Sequence, residues 1–295
     1  MGPAGALFLT AGYGRRVEPL SLIRPKCLLP WGDTTVLGRL ARQTAPQNPD
    51  KIRINASRCP DEILGELYEV WPKERCRLYF EERPLGASAT LARLSSVLAS
   101  GSWIVANTDM VLPELDLADM LRRHEETGAA WTVLTGGFPP GGSYTPLRVD
   151  SEGRFGGGGD IETHYWGVSI MEPSISTLAE KLQACGGLFT ELAPLALERC
   201  GELLTFHQKG QWLDMGRLKG LRENILKGGS FIHPTACVSS DAVLEGSWHI
   251  GRGCMIGGGT ELRDSVMLEG STLERGRLEE ALLPWFCSSS DGERT

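Results

Sequence analysis

No two of the eight cysteines in this 295-residue chain stand as a C-x-x-C pair. The thiols at 27, 59, 76, 185, 200, 237, 254 and 287 are scattered, which excludes the usual zinc-finger spacing and a vicinal redox couple. Scattered thiols in a chain this long read as reduced, so a cytoplasmic protein is expected. Long apolar runs are absent too, and no segment approaches the roughly 20 residues that cross a bilayer, so no membrane is expected as a partner. The apolar start at residues 4–11 has no basic leader and runs into Gly12-Tyr13-Gly14, which reads as a buried first strand rather than a signal peptide. Positive charge is in deficit: the formal net charge of −7 excludes the basic face of a nucleic-acid binder. It leaves room for a local basic cluster that holds phosphates. No G-x-x-x-x-G-K-[ST] occurs, and Val17 stands where a dinucleotide fingerprint has its third glycine.

What is present reads as a globular α/β protein. The hydrophobic fraction of 41% and charged fraction of 23% are ordinary for a packed core, and the length suits one large domain plus a smaller one. Short β-rich runs at 6–10, 51–56, 77–80, 103–107 and 131–135 alternate with helical spacing at 35–43, 61–70, 87–99 and 117–127. This alternation predicts a Rossmann-like, mostly parallel sheet flanked by helices. Ligands of such sheets bind beyond the carboxyl ends of strands, where Gly12 and Asp109 fall. Residues 136–159, with prolines and a four-glycine run, read as loops with at most a hairpin. Helical spacing returns at 175–185, 191–200 and 215–226.

After Gly228-Gly229 the period changes. Ile232, Val238, Leu244, Ile250, Ile256, Leu262 and Leu268 recur every six residues, with small or apolar residues four places after most of them. This period predicts a short left-handed parallel β-helix of a little over two coils, irregular near Trp248. The predicted domains are 1–228 and 229–284, followed by a disordered polar tail at 285–295. A stack this short has an open end, so self-association into a homo-oligomer is expected.

At the end of the first strand, Gly12 and Gly14 let the backbone bend and turn its amides toward an anion, and Arg15, Arg16, Arg24 and Lys26 add cations. Taken alone, Gly-x-Gly reads equally as a tight turn. Residues 9–30, L-T-A-G-Y-G-R-R-V-E-P-L-S-L-I-R-P-K-C-L-L-P, resemble the signature of the sugar-phosphate nucleotidyltransferases, L-A-A-G-x-G-x-R-[LM]-x-P-L-T-x-x-x-P-K-x-L-x-P. Three further blocks follow in that family's order: Glu81-Glu82-Arg83-Pro84-Leu85-Gly86-Ala87, Val105-Ala106-Asn107-Thr108-Asp109 and Trp212-Leu213-Asp214-Met215-Gly216-Arg217. Together they cover about residues 5 to 227. Many relatives carry an E-K-P block that is missing here. In this the chain resembles the compact branch that includes mannose-1-phosphate guanylyltransferases and N-acetylmuramate-1-phosphate uridylyltransferases.

The resemblance implies transfer of a nucleotidyl group from a nucleoside triphosphate to a sugar 1-phosphate, with a lean toward GTP and mannose 1-phosphate. It implies Arg16 and Lys26 as catalytic residues, and Ala11, Gly12, Gly14, Arg15, Glu82, Gly86 and Asn107 around the nucleotide. Lys26, Glu162 and Gly167 would face the sugar phosphate, and Asp109 and Asp214 would hold Mg²⁺. His164 could also reach the sugar, although a solvated loop pair is the plainer reading of Glu162 and His164. Two rivals stand beside this reading. One is a catalytically silent subunit that senses a nucleotide sugar. The other is a hexapeptide-repeat acyltransferase using His233 or His249.

Overall fold

The computed structural model describes residues 2–139, 144–155, 159–182, 187–201 and 203–289. The chain divides into two compact units that do not follow its linear order. One is Met1–Tyr13 with Leu40–Leu213, and the other is Gly14–Arg39 with Asp214–Thr295.

The first unit is built on an eight-stranded sheet. Its strands are β1 (Gly5–Leu9), β2 (Lys51–Ala56), β3 (Cys76–Phe80), β4 (Trp103–Asn107), β5 (Trp131–Gly136), β6 (Leu147–Val149), β7 (Ile161–Met171) and β8 (Leu203–His207). They run in the order β8-β5-β7-β4-β1-β2-β3, with β6 on β7. Pairs β1–β2, β1–β4, β2–β3 and β5–β8 are parallel, whereas β7 lies antiparallel to both β4 and β5. The apolar runs of β1, β4 and β5 follow from burial on both faces, as a parallel sheet covered by helices requires.

Helix Leu117–Thr127 illustrates the local logic. Asp116 caps it by accepting from Asp119 N at 3.0 Å, Gly128 ends it in the left-handed region, and Leu117, Met120, Leu121 and His124 form its buried face. The helix expected over 87–99 is broken into Ala87–Arg93 and Ser95–Leu98, because Leu94 turns into the core at φ −101°. Part of the expected 136–159 loop is strand β6; residues 140–143 and 156–158 of it lie outside the described residues, as do 183–186 of the expected 175–185 helix.

The C-terminal part of the second unit is a stack of short parallel strands. Partners first stand 18 residues apart (Phe231 with His249, Cys237 with Met255), then 17 (Met255 with Thr272), then 16 (Thr272 with Ser288). The first 18-to-17 shift falls between Glu245 and Trp248, the irregular turn expected. The six-residue pattern ends at Leu268, and buried Leu273, Leu278 and Leu283 continue it at intervals of five. Burial is also graded along the stack, since Ile232 at its start is 40% exposed whereas Ile250 and Leu262 are buried. The expected tail at 285 starts too early: Trp285 is buried, and Ser288–Ser289 pairs with Thr272–Leu273, so packing continues to 289. Residues 290–295 lie outside the described residues.

Candidate functional site

In the first unit, β1 ends beside Asn55 of β2 and Asn107 of β4, which are the Cα partners of Leu9. Beyond it the chain is held by a buried polar network. Thr10 N and Ala11 N donate to Asn55 Oδ1 at 2.9 and 3.4 Å, and Thr10 Oγ1 donates to the carbonyl of Asn55. Asn55 Nδ2 donates to Glu81 Oε1 at 2.9 Å and contacts Thr90 Oγ1 at 3.1 Å; Thr90 Oγ1 itself donates to Glu81 Oε1 at 2.8 Å. Leu85 N donates to Glu81 Oε2 at 2.9 Å. One carboxylate, 2% exposed, thus ties the turn after β1 to the Pro84-Leu85-Gly86 loop. Because every polar group in it has a partner, the network can be buried without a large desolvation penalty.

Sequence reasoning named Glu82 and missed Asn55, Glu81 and Thr90. Glu82 is exposed next to the loop, and Gly86 caps helix Ala87–Arg93 at φ 88°. A signal existed: an asparagine at the end of an otherwise apolar strand and an acid following another strand need partners once buried.

On the β4 side, Thr108 Oγ1 donates to the carbonyl of Leu9 at 2.9 Å, and Asn107 and Asp109 flank it, both half-buried. Gly167 of β7 lies against Asn107. Its φ is +85°, and a Cβ there would come within 2.9 Å of Met110 Cε and 3.4 Å of Asn107 Cβ, so only glycine fits without strain. The Tyr165 hydroxyl bonds Ser169 Oγ at 3.0 Å; burial, with the Asp109 charge adding to it, pushes its pKa upward. Glu162 is on a strand rather than a loop and pairs with Arg148 across β6 and β7 at 2.9 Å. His164 is buried among Phe138, Tyr144 and Trp212, with ring centroids 5.6, 4.8 and 4.7 Å away.

The second unit carries the rest of the signature. Gly14 adopts φ 67°, and an added Cβ would stand 2.7 Å from Ser21 Cβ and 3.7 Å from Lys26 Cγ. Ser21 Oγ donates to the carbonyl of Gly14 at 2.9 Å, and Val17 N donates to the same carbonyl at 2.9 Å. The turn places Arg15 and Arg16 at the surface and Lys26 half-buried. Arg24 does not join these cations, because its guanidinium is engaged by Glu269.

Asp214 Oδ1 accepts from Gly216 N at 2.7 Å, and Oδ2 lies 3.1 Å from Arg217 Nε. Among the described residues no group of three or more His, Cys, Asp or Glu forms a protein cage for a metal. Asp109 and Asp214 are each half-buried carboxylates; Mg²⁺ commonly binds one or two protein carboxylates together with substrate phosphates rather than a full protein cage. Of the histidines of the acyltransferase rival, His233 Nδ1 pairs with Thr235 Oγ1 at 2.9 Å, and His249 is buried within the stack, where burial pushes its pKa down to about 4.

A parallel-rich sheet flanked by helices, with a glycine turn after its first strand, defines a Rossmann-like α/β protein. Residues 6–202 match the family model described as the MobA-like NTP transferase domain. The chain belongs to that family, which bears out the expected place among sugar-1-phosphate nucleotidyltransferases. It is similar to a putative mannose-1-phosphate guanyltransferase of Sulfolobus acidocaldarius, at 24% identity over 89% of this chain and 75% of that protein. Similarity to a mannose-1-phosphate guanylyltransferase of Mycobacterium tuberculosis is 24% over 92% and 81%. For a mannose-1-phosphate guanyltransferase of Candida albicans the values are 27% over 72% and 61%, so this chain spans about three fifths of the fungal protein. No helix among the described residues is long and apolar enough to cross a membrane.

Proposed function

We propose that this protein joins a nucleoside triphosphate to a sugar 1-phosphate, giving a nucleotide sugar and pyrophosphate, with GTP and mannose 1-phosphate as the favoured pair. The observation that carries this reading is Gly12. Its neighbours Thr10 and Ala11 are fixed by Asn55, yet among the described residues a Cβ at Gly12 would meet no atom within 4 Å beyond its own chain neighbours. The fold itself does not demand glycine there, whereas close approach of a phosphate to the backbone does. The names of the relatives support the choice of substrates.

A phosphate oxygen of the sugar phosphate is already a nucleophile at neutral pH, so attack on the α-phosphorus requires no general base. The reaction requires alignment and charge neutralisation. Gly12 and Gly14 offer backbone donors beside Ala11, whose own amide is held by Asn55, and Arg15 adds charge beside them. Arg16 neutralises the departing β- and γ-phosphates, and Lys26 bridges the α-phosphate and the incoming sugar phosphate. Glu82, Gly86 and Asn107 face the nucleoside, and Glu162 and Gly167 the sugar. Asp109 and Asp214 would hold Mg²⁺, which supplies charge neutralisation on the phosphates when bound. We read the C-terminal stack as a left-handed β-helix, with domain limits near 228 and 284, and its exposed first coil as a surface for self-association in a cytoplasmic protein.

The test is pyrophosphate release across a panel of triphosphates and sugar 1-phosphates with Mg²⁺. GTP with mannose 1-phosphate should give the highest kcat/KM, and Lys26→Ala or Arg16→Ala should lower it about a hundredfold. Absence of pyrophosphate release from every pair, with nucleotide sugar still bound, would favour the silent sensor instead.

A further inference from the structure

Arg24 lies in the middle of the basic signature, two residues before Lys26, and its charge is directed away from phosphate chemistry. Arg24 Nη1 and Nη2 donate to Glu269 Oε2 and Oε1 at 2.5 and 3.2 Å, a two-pronged pairing with the parallel stack. The side chains are only 19% and 28% exposed, so solvent screens the pair incompletely. Arg24 Cζ also stands 5.6 Å from the ring centroid of Phe286, near enough for a cation–π contact. Phe286 is held to the same turn, because its amide donates to the carbonyl of Glu269 at 3.1 Å.

The link from Arg24 to Lys26 is stiff. Arg24 is extended at φ −137° and ψ 148°, as a residue before proline must be, and Pro25 sits buried at φ −67°. Lys26–Leu28 then forms a tight turn, with Leu28 N donating to Pro25 O and Leu29 N to Lys26 O, both at 3.0 Å. The same segment has two other moorings in the second unit. Leu218 N donates to Arg16 O at 3.3 Å, and the carbonyl of Gly228 lies 3.0 Å from where a Cβ of Gly32 would stand.

We infer that Glu269 and Phe286 of the C-terminal stack are positioning residues, which fix the backbone that carries Lys26 by holding the Arg24 guanidinium. The stack is then part of the machinery that aligns phosphates. This inference rests on the role of Lys26 proposed above. Displacing a group of that kind by about 1 Å can cost a hundredfold in rate.

The experiment compares wild type, Glu269→Ala, Glu269→Gln, Phe286→Ala and the charge swap Arg24→Glu with Glu269→Arg. Each is assayed for pyrophosphate release and for amide hydrogen exchange at Leu28 and Leu29 by mass spectrometry, with melting curves to establish folding. Expected is a fall in kcat of tenfold or more for Glu269→Ala with triphosphate KM changed less than threefold, a smaller fall for Glu269→Gln, and partial recovery in the swap. Phe286 is 61% exposed, so Phe286→Ala keeps the fold even if Glu269→Ala does not, and should lower kcat severalfold. Folded variants with wild-type kcat, or a swap no better than Glu269→Ala, overturn the inference. If the wild type releases no pyrophosphate, the functional reading fails by itself. Exchange at Leu28 and Leu29 then decides the anchoring, with faster exchange in Glu269→Ala supporting it and unchanged exchange overturning it.

Discussion

The two halves of one continuous signature are held in place by opposite electrostatic means. Residues up to Tyr13 belong to the first unit, and those from Gly14 to the second. The first half rests on a carboxylate, Glu81, that is almost wholly buried and accepts from Asn55, Thr90 and the Leu85 amide, all neutral donors. The second half is moored by a fully charged pair, Arg24 with Glu269, that remains partly wet. A buried network of neutral donors around one charge is rigid and costly to break, because each orphaned group loses both partner and water. A partly exposed ion pair exchanges some of that rigidity for tolerance, since water can replace either partner.

Glu81→Ala therefore carries the largest expected effect. It removes the acceptor of one Asn55 Nδ2 proton, of the Thr90 hydroxyl and of the part-buried Leu85 amide at once. At about 1–3 kcal/mol for each unsatisfied group, partly relieved by the remaining Asn55–Thr90 bond and by relaxation, the loss should be roughly 4 kcal/mol. Urea unfolding measures it. A loss below about 1 kcal/mol would mean that the network is not what holds the turn after β1. Glu81→Gln, which keeps the shape but must turn one acceptor into a donor, should lie between the two.

The second unit has its own buried polar group of the opposite kind. His249 is 4% exposed in the stack, stacked on Phe231, and its Nδ1 has no hydrogen-bond partner among the described residues. Burial, and secondarily the charge of His233, pushes its pKa from 6.5 down to about 4. With the folded value below the unfolded one, the unfolded chain binds the extra proton between those limits. Stability is therefore complete above pH 6.5 and is lost as pH falls toward 4. The gap corresponds to roughly 3 kcal/mol across the whole window. Melting curves at several pH values should show this slope in the wild type and a shallower one in His249→Leu; equal slopes would assign the acid sensitivity to other groups.

Strands β2 and β4 are legible to the residue, β2 because Ile52 and Ile54 alternate with Lys51 and Arg53, and β4 because a strand buried on both faces is a short apolar run with β-branched or aromatic members. Helix Leu117–Thr127 is equally legible through its period. The Asn55–Glu81–Thr90 network is not, since its members come from two strand ends and a helix and share no local spacing. Glu82 was chosen over Glu81 because a linear motif cannot tell which of two adjacent acids turns inward. Arg24 read as one more phosphate cation because its partner is 245 residues away in sequence. The stack was read short because its period slides from six to five after Leu268, as partner spacing falls from 18 to 16. Glycines 12 and 14, finally, looked alike as letters although the structure gives them different reasons.

That difference provides the finest test of the comparison. At Gly14 the fold itself requires glycine: φ is +67°, and a Cβ would press to 2.7 Å from Ser21 Cβ. Gly14→Ala should destabilise the protein by about 2 kcal/mol, from left-handed strain plus the displaced Ser21. At Gly12 a Cβ has no atom of the described residues within 4 Å beyond its chain neighbours, so Gly12→Ala should melt within a degree or two of the wild type. Its cost should fall on the ligand instead, where a methyl group holds the triphosphate away from the backbone amides. Calorimetric titration should then show triphosphate affinity reduced at least tenfold, a loss of about 1.4 kcal/mol. If Gly12→Ala binds triphosphate as the wild type does, the open space beside Gly12 is not where the phosphates lie. The turn after β1 would then be a structural device in both of its glycines.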